Sequence, residues 1–350
     1  MKIEQDRVKI LSGVRNSKTL GSPITLAIEN RDWANWKSIM DPVNPVPSSL
    51  NVREQRLAFD TITPRPGHAD LAGGIKYNHH DLRNVLERAS ARETAARVAV
   101  GALTRQLLDV FGIEFASHVV RIGKVYLGKK AAYDDLEAVR QITEESPVRC
   151  LDPKIGREMV AAIREAKKKR DSLGGVVEVI VRGVPVGLGS YVQWDRKLDG
   201  QLAAALMAIQ SVKGVEIGLG FGAASLRGSQ CQDQIYYDKS GLPRKKLFHR
   251  SSNNAGGIEG GMTNGEDIVF RVAAKPISTL YRPLDSVNVV TKEAAKAMVE
   301  RTDNCVVPAL AVICENVAAM VLVEAFLEKY GRDNMDEIER NYQGWLESSY

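Results

Sequence analysis

Cysteine is scarce: Cys150, Cys231, Cys305 and Cys314 lie far apart and form no CxxC pair. That suggests neither a zinc knuckle nor a disulfide framework, and it fits a reducing, intracellular setting. Net charge is small as well, because 48 Lys plus Arg face 43 Asp plus Glu for a balance of +5. So slight an excess does not argue for nucleic acid, and the Lys167-Lys-Lys-Arg170 run reads as a solvated helix end. An anionic small substrate suits the balance equally well. The first eight residues carry charges throughout and leave no room for the apolar core of a signal peptide. No later stretch is read as reaching the length of a membrane span, so the expectation is a cytoplasmic protein with neither membrane nor nucleic-acid partner. Also missing are HExxH, Gly-x-Ser-x-Gly, GxGxxG and GxxxxGK[ST]. Their absence disfavours zinc and serine hydrolases, a dinucleotide fold and a P-loop, and no metal site is expected.

What is present is ordinary globular material: 350 residues, 44% hydrophobic and 26% charged, enough to bury a sizeable core. Neither a repeat of 20 to 50 residues nor a flexible linker appears. The early β-rich runs Arg7–Leu11 and Ile24–Ile28 alternate with Gly, Pro and Asn turns and read as strands. Pro42, Pro45 and Pro47 mark an irregular connection. From His80 to Val110 apolar residues recur at helical spacing and predict one long helix, weakened only at Gly101. Further on, 119–128 reads as a strand, 154–169 as a basic-ended helix, 175–183 as a strand bounded by glycines, and 197–212 as a helix. The 214–280 stretch reads as Gly-rich with short strands, while 291–300 and 308–329 read as helices, with Pro308 in the first turn of the last. Together these predict a single α/β domain over 1–350, with mainly antiparallel sheets and long helices packed on them.

Four constellations could carry chemistry. In Thr63-Pro-Arg-Pro-Gly-His-Ala-Asp70, two prolines and a glycine stiffen a loop that presents Arg65, His68 and Asp70 together, a setting for a proton-transferring imidazole beside a cation. The plain alternative is a turn with a surface histidine. His79 and His80 read as solvent-facing residues. On the expected long helix, Arg88 and Arg92 stand four apart and share a face, while Ser90 and Thr94 share another. Two guanidiniums so spaced suit a phosphate or carboxylate, although ion pairs with Glu87 and Glu93 would explain them too. The third is Ser252-Asn-Asn-Ala-Gly-Gly-Ile-Glu-Gly-Gly261 with Lys275-Pro-Ile-Ser-Thr279 after it: a phosphate or cofactor cradle, or simply tight turns. In the fourth, Arg301-Thr-Asp-Asn-Cys305, Asp303 and Arg301 could act as base and anion clamp, or Asp303 or Asn304 could cap the helix that follows.

Taken in order, these pieces resemble chorismate synthases across nearly the whole chain. The resemblance is carried by MKIEQDRVKILSGVR with Thr19-Leu-Gly-Ser-Pro23, PRPGHADLAGGIKY, ERASARETAARVAVGA, VKGVEIGLGF, GSQCQD, SNNAGGIEGG with KPIST, and RTDNCVVPALAVICE. It implies a homotetrameric shikimate-pathway enzyme with a β-α-β sandwich subunit. Such an enzyme eliminates phosphate from 5-enolpyruvylshikimate 3-phosphate in the trans-1,4 sense, using reduced FMN. NAD(P)H serves indirectly, for flavin reduction, carried out either by the protein itself or by an external flavin reductase.

Residue by residue, the resemblance makes His68 the histidine that protonates or holds the reduced flavin. Asp303 becomes the acid that removes the C6 proton by way of the flavin. Arg65, Arg88 and Arg301 match arginines facing the substrate's phosphate and carboxylates. Flavin positions carry over to Arg88, Ala89, Ser90, Gln210, Ser211, Gly260, Lys275, Pro276, Ile277, Ser278, Thr279 and Arg301. Family members begin with a strand, a Gly-Glu-Ser-His-Gly motif and an Arg-rich Gly-Tyr-Gly-Arg-Gly segment ahead of the MKIE that opens this sequence. The expectation is therefore a chain lacking that segment and its histidine, at a cost of roughly 100- to 10,000-fold in rate. The reading from a different class is a catalytically silent flavin-binding or assembly fragment.

Overall fold

The protein's structure is a computed structural model that describes residues 6–46, 62–128, 135–237 and 248–348. Residues 1–5 and Pro47, parts of stretches read above, lie outside the described residues. Two compact units emerge, one of Met1–Ala96, Ile163–Leu173 and Pro276–Cys305, the other of Arg97–Ala162, Gly174–Lys275 and Val306–Tyr350. Both combine helices with antiparallel strands, which is the α/β class predicted from the sequence.

The second unit is built on a five-stranded antiparallel sheet of β1 (Glu114–Ile122), β2 (Val125–Tyr126), β3 (Gly175–Arg182), β4 (Val212–Ile217) and β5 (Ile268–Ala274). The spatial order is β2-β1-β3-β5-β4. Because successive strand residues point to opposite faces, the sheet has two unlike sides. One carries Phe115, Val119, Val177, Val179, Phe270 and Val272, all buried. The other carries a row in register, His118 opposite Glu178, Glu178 opposite Arg271, and Arg271 opposite Glu216. In that row His118 Nε2 lies 3.2 Å from Glu178 Oε1, and Arg271 Nε donates to Glu178 Oε2 at 2.6 Å.

Helices α1 (Thr94–Val110), α2 (Leu136–Glu145), α3 (Leu198–Met207), α4 (Val307–Tyr330) and α5 (Met335–Ser348) belong wholly or mainly to this unit. On the mixed side α2 sets Leu136 and Val139 against Ala116, Ile180 and Val269. The apolar side meets α4, which buries Leu310, Ala311, Cys314, Ala318 and Leu322. Each such leucine contributes about 2 kcal/mol of apolar burial. Sequence reading saw no stretch long enough for a membrane span, and α4 corrects that: by length and composition it qualifies. Yet 67% of its most apolar stretch is buried inside the protein, so its apolarity answers to the core around it. Its buried carboxylate, Glu315, accepts from the Ser117 hydroxyl and from Arg105 Nη1, the latter at 2.8 Å. Helix α1 runs unbroken through Gly101, where a Cβ would lie 2.4 Å from Asn316 O. Glycine there lets the two helices cross closely. At the end of the chain, Tyr342 of α5 stands 5.1 Å from the Tyr330 ring and 5.2 Å from Phe111, closing an aromatic cluster.

Several sequence expectations shift. The helix expected over 80–110 is two helices, Arg83–Arg88 and α1, separated at Ala89 and Ser90 by a short turn. Ser90 is extended and its hydroxyl accepts from Arg92 N–H as a cap, so the shared faces predicted for Arg88 with Arg92 and for Ser90 with Thr94 do not exist. The 119–128 strand starts earlier, at Glu114, and turns back after Ile122. The 197–212 helix stops at Met207, and Val212 already belongs to β4. The helix expected over 291–300 is instead a strand, Ala294–Lys296, paired antiparallel with Asp285–Val287.

In the first unit, Val8–Ser12 pairs with Thr25–Ile28 as expected. Trp36, Ile39, Met40 and Val46 form a small core there, and the Arg83 guanidinium lies over the Trp36 ring at 5.0 Å. Helices Asp70–Tyr77 and Arg83–Arg88 and the Asp285–Val287 hairpin complete what positions the site.

Candidate active site

The Pro64-to-Asp70 loop is local chemistry first. Prolines fix φ on either side of Arg65, Gly67 takes a positive φ of 77°, and His68 N–H closes a turn on Arg65 O at 3.1 Å. Asp70 then begins the Asp70–Tyr77 helix, where the helix dipole favours a negative charge. Residues more than two hundred positions away hold the loop in place. Ser278 Oγ donates to Gly67 O at 2.9 Å and Ser286 Oγ to Pro64 O at 2.6 Å. Val289 N–H donates to Ile62 O at 2.9 Å and Met298 N–H to Thr63 O at 3.2 Å.

Inside this frame sits a buried cluster. Asp70 is 0% exposed and Arg65 7%. Asp70 Oδ2 accepts from Arg65 N–H at 3.0 Å and Arg65 Nε at 2.8 Å, while Oδ1 accepts from Arg65 Nη2 at 3.0 Å. His68 Nδ1 approaches Oδ1 to 2.5 Å, and Arg65 Nη1 donates to Thr279 Oγ1 at 2.7 Å. Burial alone would raise the carboxyl's pKa, but hydrogen bonds from His68 and then from Arg65 outweigh it and hold Asp70 well below the usual carboxylate range. An ionised carboxylate only accepts. Nδ1 of His68 therefore carries the proton that faces Asp70, and Nε2 is the basic nitrogen of a ring that remains 20% exposed.

The family model described as chorismate synthase matches residues 1–327. The chain belongs to the chorismate synthase family. Curated chorismate synthases resemble it over nearly its whole length. That of Geobacter sulfurreducens is 53% identical over 349 residues, covering 99% of this chain and 86% of its own. That of Bacillus subtilis is 50% identical over 343 residues, covering 98% and 85%. A crystal structure of chorismate synthase superposes with a TM-score of 0.76 at 43% identity, covering 98% of this chain and 84% of that one. Chorismate synthases are carbon–oxygen lyases, and that is the enzyme class of this chain.

Of the positions carried over from the chorismate synthase pattern, Arg65, His68, Ser278 and Thr279 come together with Asp70. Ser278 and Thr279 brace the histidine loop through their hydroxyls, and the Ile277 carbonyl accepts from Ser172 Oγ at 2.7 Å. Arg88 ends its helix exposed, Ala89 and Ser90 form the break that follows, and Pro276 is exposed. Arg301 and Asp303 are both exposed on a segment that Tyr281 and Asn304 anchor. Tyr281 OH bonds to Thr302, and Asn304 Nδ2 donates to Asp171 O at 2.7 Å. Among the described residues no hydrogen bond or ion pair engages the side chains of Arg88, Arg301 or Asp303. The capping alternative for Asp303 and Asn304 does not hold, since α4 starts from Val306 with no side-chain cap.

Gln210, Ser211, Gly260 and Lys275 lie in the second unit. Lys275 N–H donates to Ser211 O at 2.9 Å, which joins two of the predicted positions. Burial, and then neighbouring Lys213, pull the Lys275 ammonium below its ordinary pKa. Gly260 is the open tip of the Ile258–Glu259/Met262–Thr263 hairpin, with space around any added Cβ. Gly256 and Gly257 instead press on the backbone of Gly218 and Asp267, so that pair is a packing requirement. Sequence reading placed Asp70 in the loop but gave it no task. Its His-x-Asp spacing was the available signal.

Proposed function

We propose that the chain converts 5-enolpyruvylshikimate 3-phosphate to chorismate and phosphate by trans-1,4-elimination, with reduced FMN as cofactor. The observation that carries this reading is the His68–Asp70–Arg65 cluster set in the family's own motif. Residues present fit an anionic cofactor and substrate: Arg88 and Arg301 offer exposed guanidiniums, and Gly260 leaves open space for a ligand's close approach. In this reading Ala89, Ser90, Gln210, Ser211, Lys275, Pro276, Ile277, Ser278 and Thr279 are each a flavin-binding position carried over from the family. When bound, reduced FMN supplies transient electron density as phosphate leaves.

The chain's own residues bind and move protons around that event. Arg88 and Arg301 balance the charge of the phosphate and carboxylates. His68 exchanges a proton through Nε2, its Nδ1–H being turned to Asp70, and Asp303 takes up the proton lost from C6. Reducing equivalents come from NAD(P)H, with an external flavin reductase as the candidate supplier. The chain acts as one domain within a cytoplasmic homotetramer, and exposed Trp194, Phe221, Tyr236, Tyr237 and Phe248 are available for contacts between copies.

Anaerobic turnover with chemically reduced FMN, followed by chorismate absorbance and released phosphate, tests the reading. Equimolar chorismate and phosphate support it. Tight binding of reduced FMN and substrate without product would overturn it in favour of a silent flavin-binding protein.

A further inference from the structure

Asp70 has no exposed surface, so it cannot touch a substrate directly. Its contacts all point inward and they are unequal. Oδ2 takes two N–H groups from Arg65, whereas Oδ1 takes His68 Nδ1 and Arg65 Nη2. Arg65 in turn has Nε and Nη2 on the carboxylate and Nη1 on Thr279, and Nη2 also lies 3.0 Å from His68 Nδ1 and 3.3 Å from Nε2. A guanidinium so engaged and so buried serves the carboxylate rather than a ligand. We propose that Asp70 is a positioning residue: held by Arg65, which Thr279 holds, it fixes His68 as the Nδ1–H tautomer and leaves Nε2 as the atom that exchanges a proton in the reaction. This rests on the reading of His68 as catalytic.

Asp70→Asn makes the geometry decisive. The amide oxygen is expected at the Oδ2 place, where two Arg65 N–H groups need an acceptor, against one from Nη2 at the Oδ1 place. That puts the amide NH2 at the Oδ1 place, facing His68 Nδ1. A donor there drives the ring to its other tautomer, with the proton on Nε2. A buried aspartate behind a serine-protease histidine fails in the same way when made an amide.

The first readout needs no turnover. In full-length protein labelled with 15N-histidine, ring nitrogen shifts report the tautomer, and the His68→Asn variant assigns the His68 signal among the five histidines. The proton on Nδ1 in the unaltered chain and on Nε2 in Asp70→Asn is the expected result. A proton on Nε2 in the unaltered chain, or a tautomer indifferent to Asp70→Asn, overturns the proposal.

The second readout is a kinetic cycle of Asp70→Asn, His68→Asn and the double variant. Asp70→Asn should lower kcat by roughly 100- to 10,000-fold with KM for substrate little changed, and the double variant should be no slower than His68→Asn alone. Independent, multiplying losses would mean Asp70 acts elsewhere and overturn the proposal. Full turnover by His68→Asn would instead refute the catalytic reading of His68, while the tautomer result still decides what Asp70 does. Should Asp70→Asn fail to fold, Thr279→Val loosens Arg65 with the carboxylate retained. A roughly tenfold lower kcat with a mixed tautomer signal supports the relay, and no change in either overturns it.

Discussion

Replacing Gly101 with alanine sets two physical effects against each other. Judged by helix propensity alone, alanine in the interior of α1 should stabilise by about 1 kcal/mol. The crossing with α4 says the opposite, because the added Cβ would lie 2.4 Å from Asn316 Cβ and O and 2.6 Å from its Cα. Ordinary carbon contacts are about 3.5–4.0 Å, so the helices must part by roughly 1 Å. The obstructing atoms are largely backbone and cannot rotate away. Overpacking of this kind costs about 1–3 kcal/mol, and a backbone obstacle puts Gly101 at the upper end. Net destabilisation is then about 2 kcal/mol, a fall in Tm of about 4–8 °C for a unit of this size. Gly344→Ala is the control: it lies in α5 with nothing within 4 Å of the new methyl, and should raise stability by up to about 1 kcal/mol. Thermal unfolding followed by circular dichroism compares the two. A Gly101→Ala protein as stable as the Gly344→Ala one would refute the close crossing.

Three further outcomes are expected. Glu315→Ala leaves Ser117 and Arg105 without their buried acceptor and should lower stability by about 3 kcal/mol in urea titrations, whereas no loss would show the pair to be dispensable. Asp70 has its folded pKa lowered, so its stabilising contribution is complete above the unfolded value of about 3.9 and declines as pH falls below that. The margin of the unaltered protein over Asp70→Asn should therefore be full at pH 6 and much reduced at pH 2, and an undiminished margin at pH 2 would contradict it. Burial raises the thiol pKa of Cys150 and Cys314, the latter helped by Glu315. Both should resist a thiol reagent at pH 8 until the protein is unfolded, while half-buried Cys231 and Cys305 react first.

Long periodic segments were legible in the sequence because their burial is one-sided or complete. The 175–183 strand and the 308–329 helix appear almost as read, as β3 and α4. The break before α1 also left a trace, since Ser90 followed by Glu93 is a helix-start signature that the run of helix formers around it obscured. Thr291–Glu300 left no such trace. Its Lys, Glu and Ala favour a helix, and only pairing with Asp285–Val287 and the bond from Met298 N–H to Thr63 O make it extended. The same holds for the site. The Arg65, His68 and Asp70 trio sits in eight residues and could be seen, but Thr279, 214 positions from Arg65, could be placed as its support only in three dimensions.

The row of His118, Glu178, Arg271 and Glu216 across β1, β3, β5 and β4 acts as a set of alignment pins. A slip of one residue in any of these strands would turn its polar member to the side of Phe270 and Val272, and bring an apolar neighbour into the row. Misaligning β1 against β3 would leave buried His118 and Glu178 without their partners, an error of several kcal/mol rather than a few tenths. The valine- and isoleucine-rich β3 thereby acquires a single register against its neighbours.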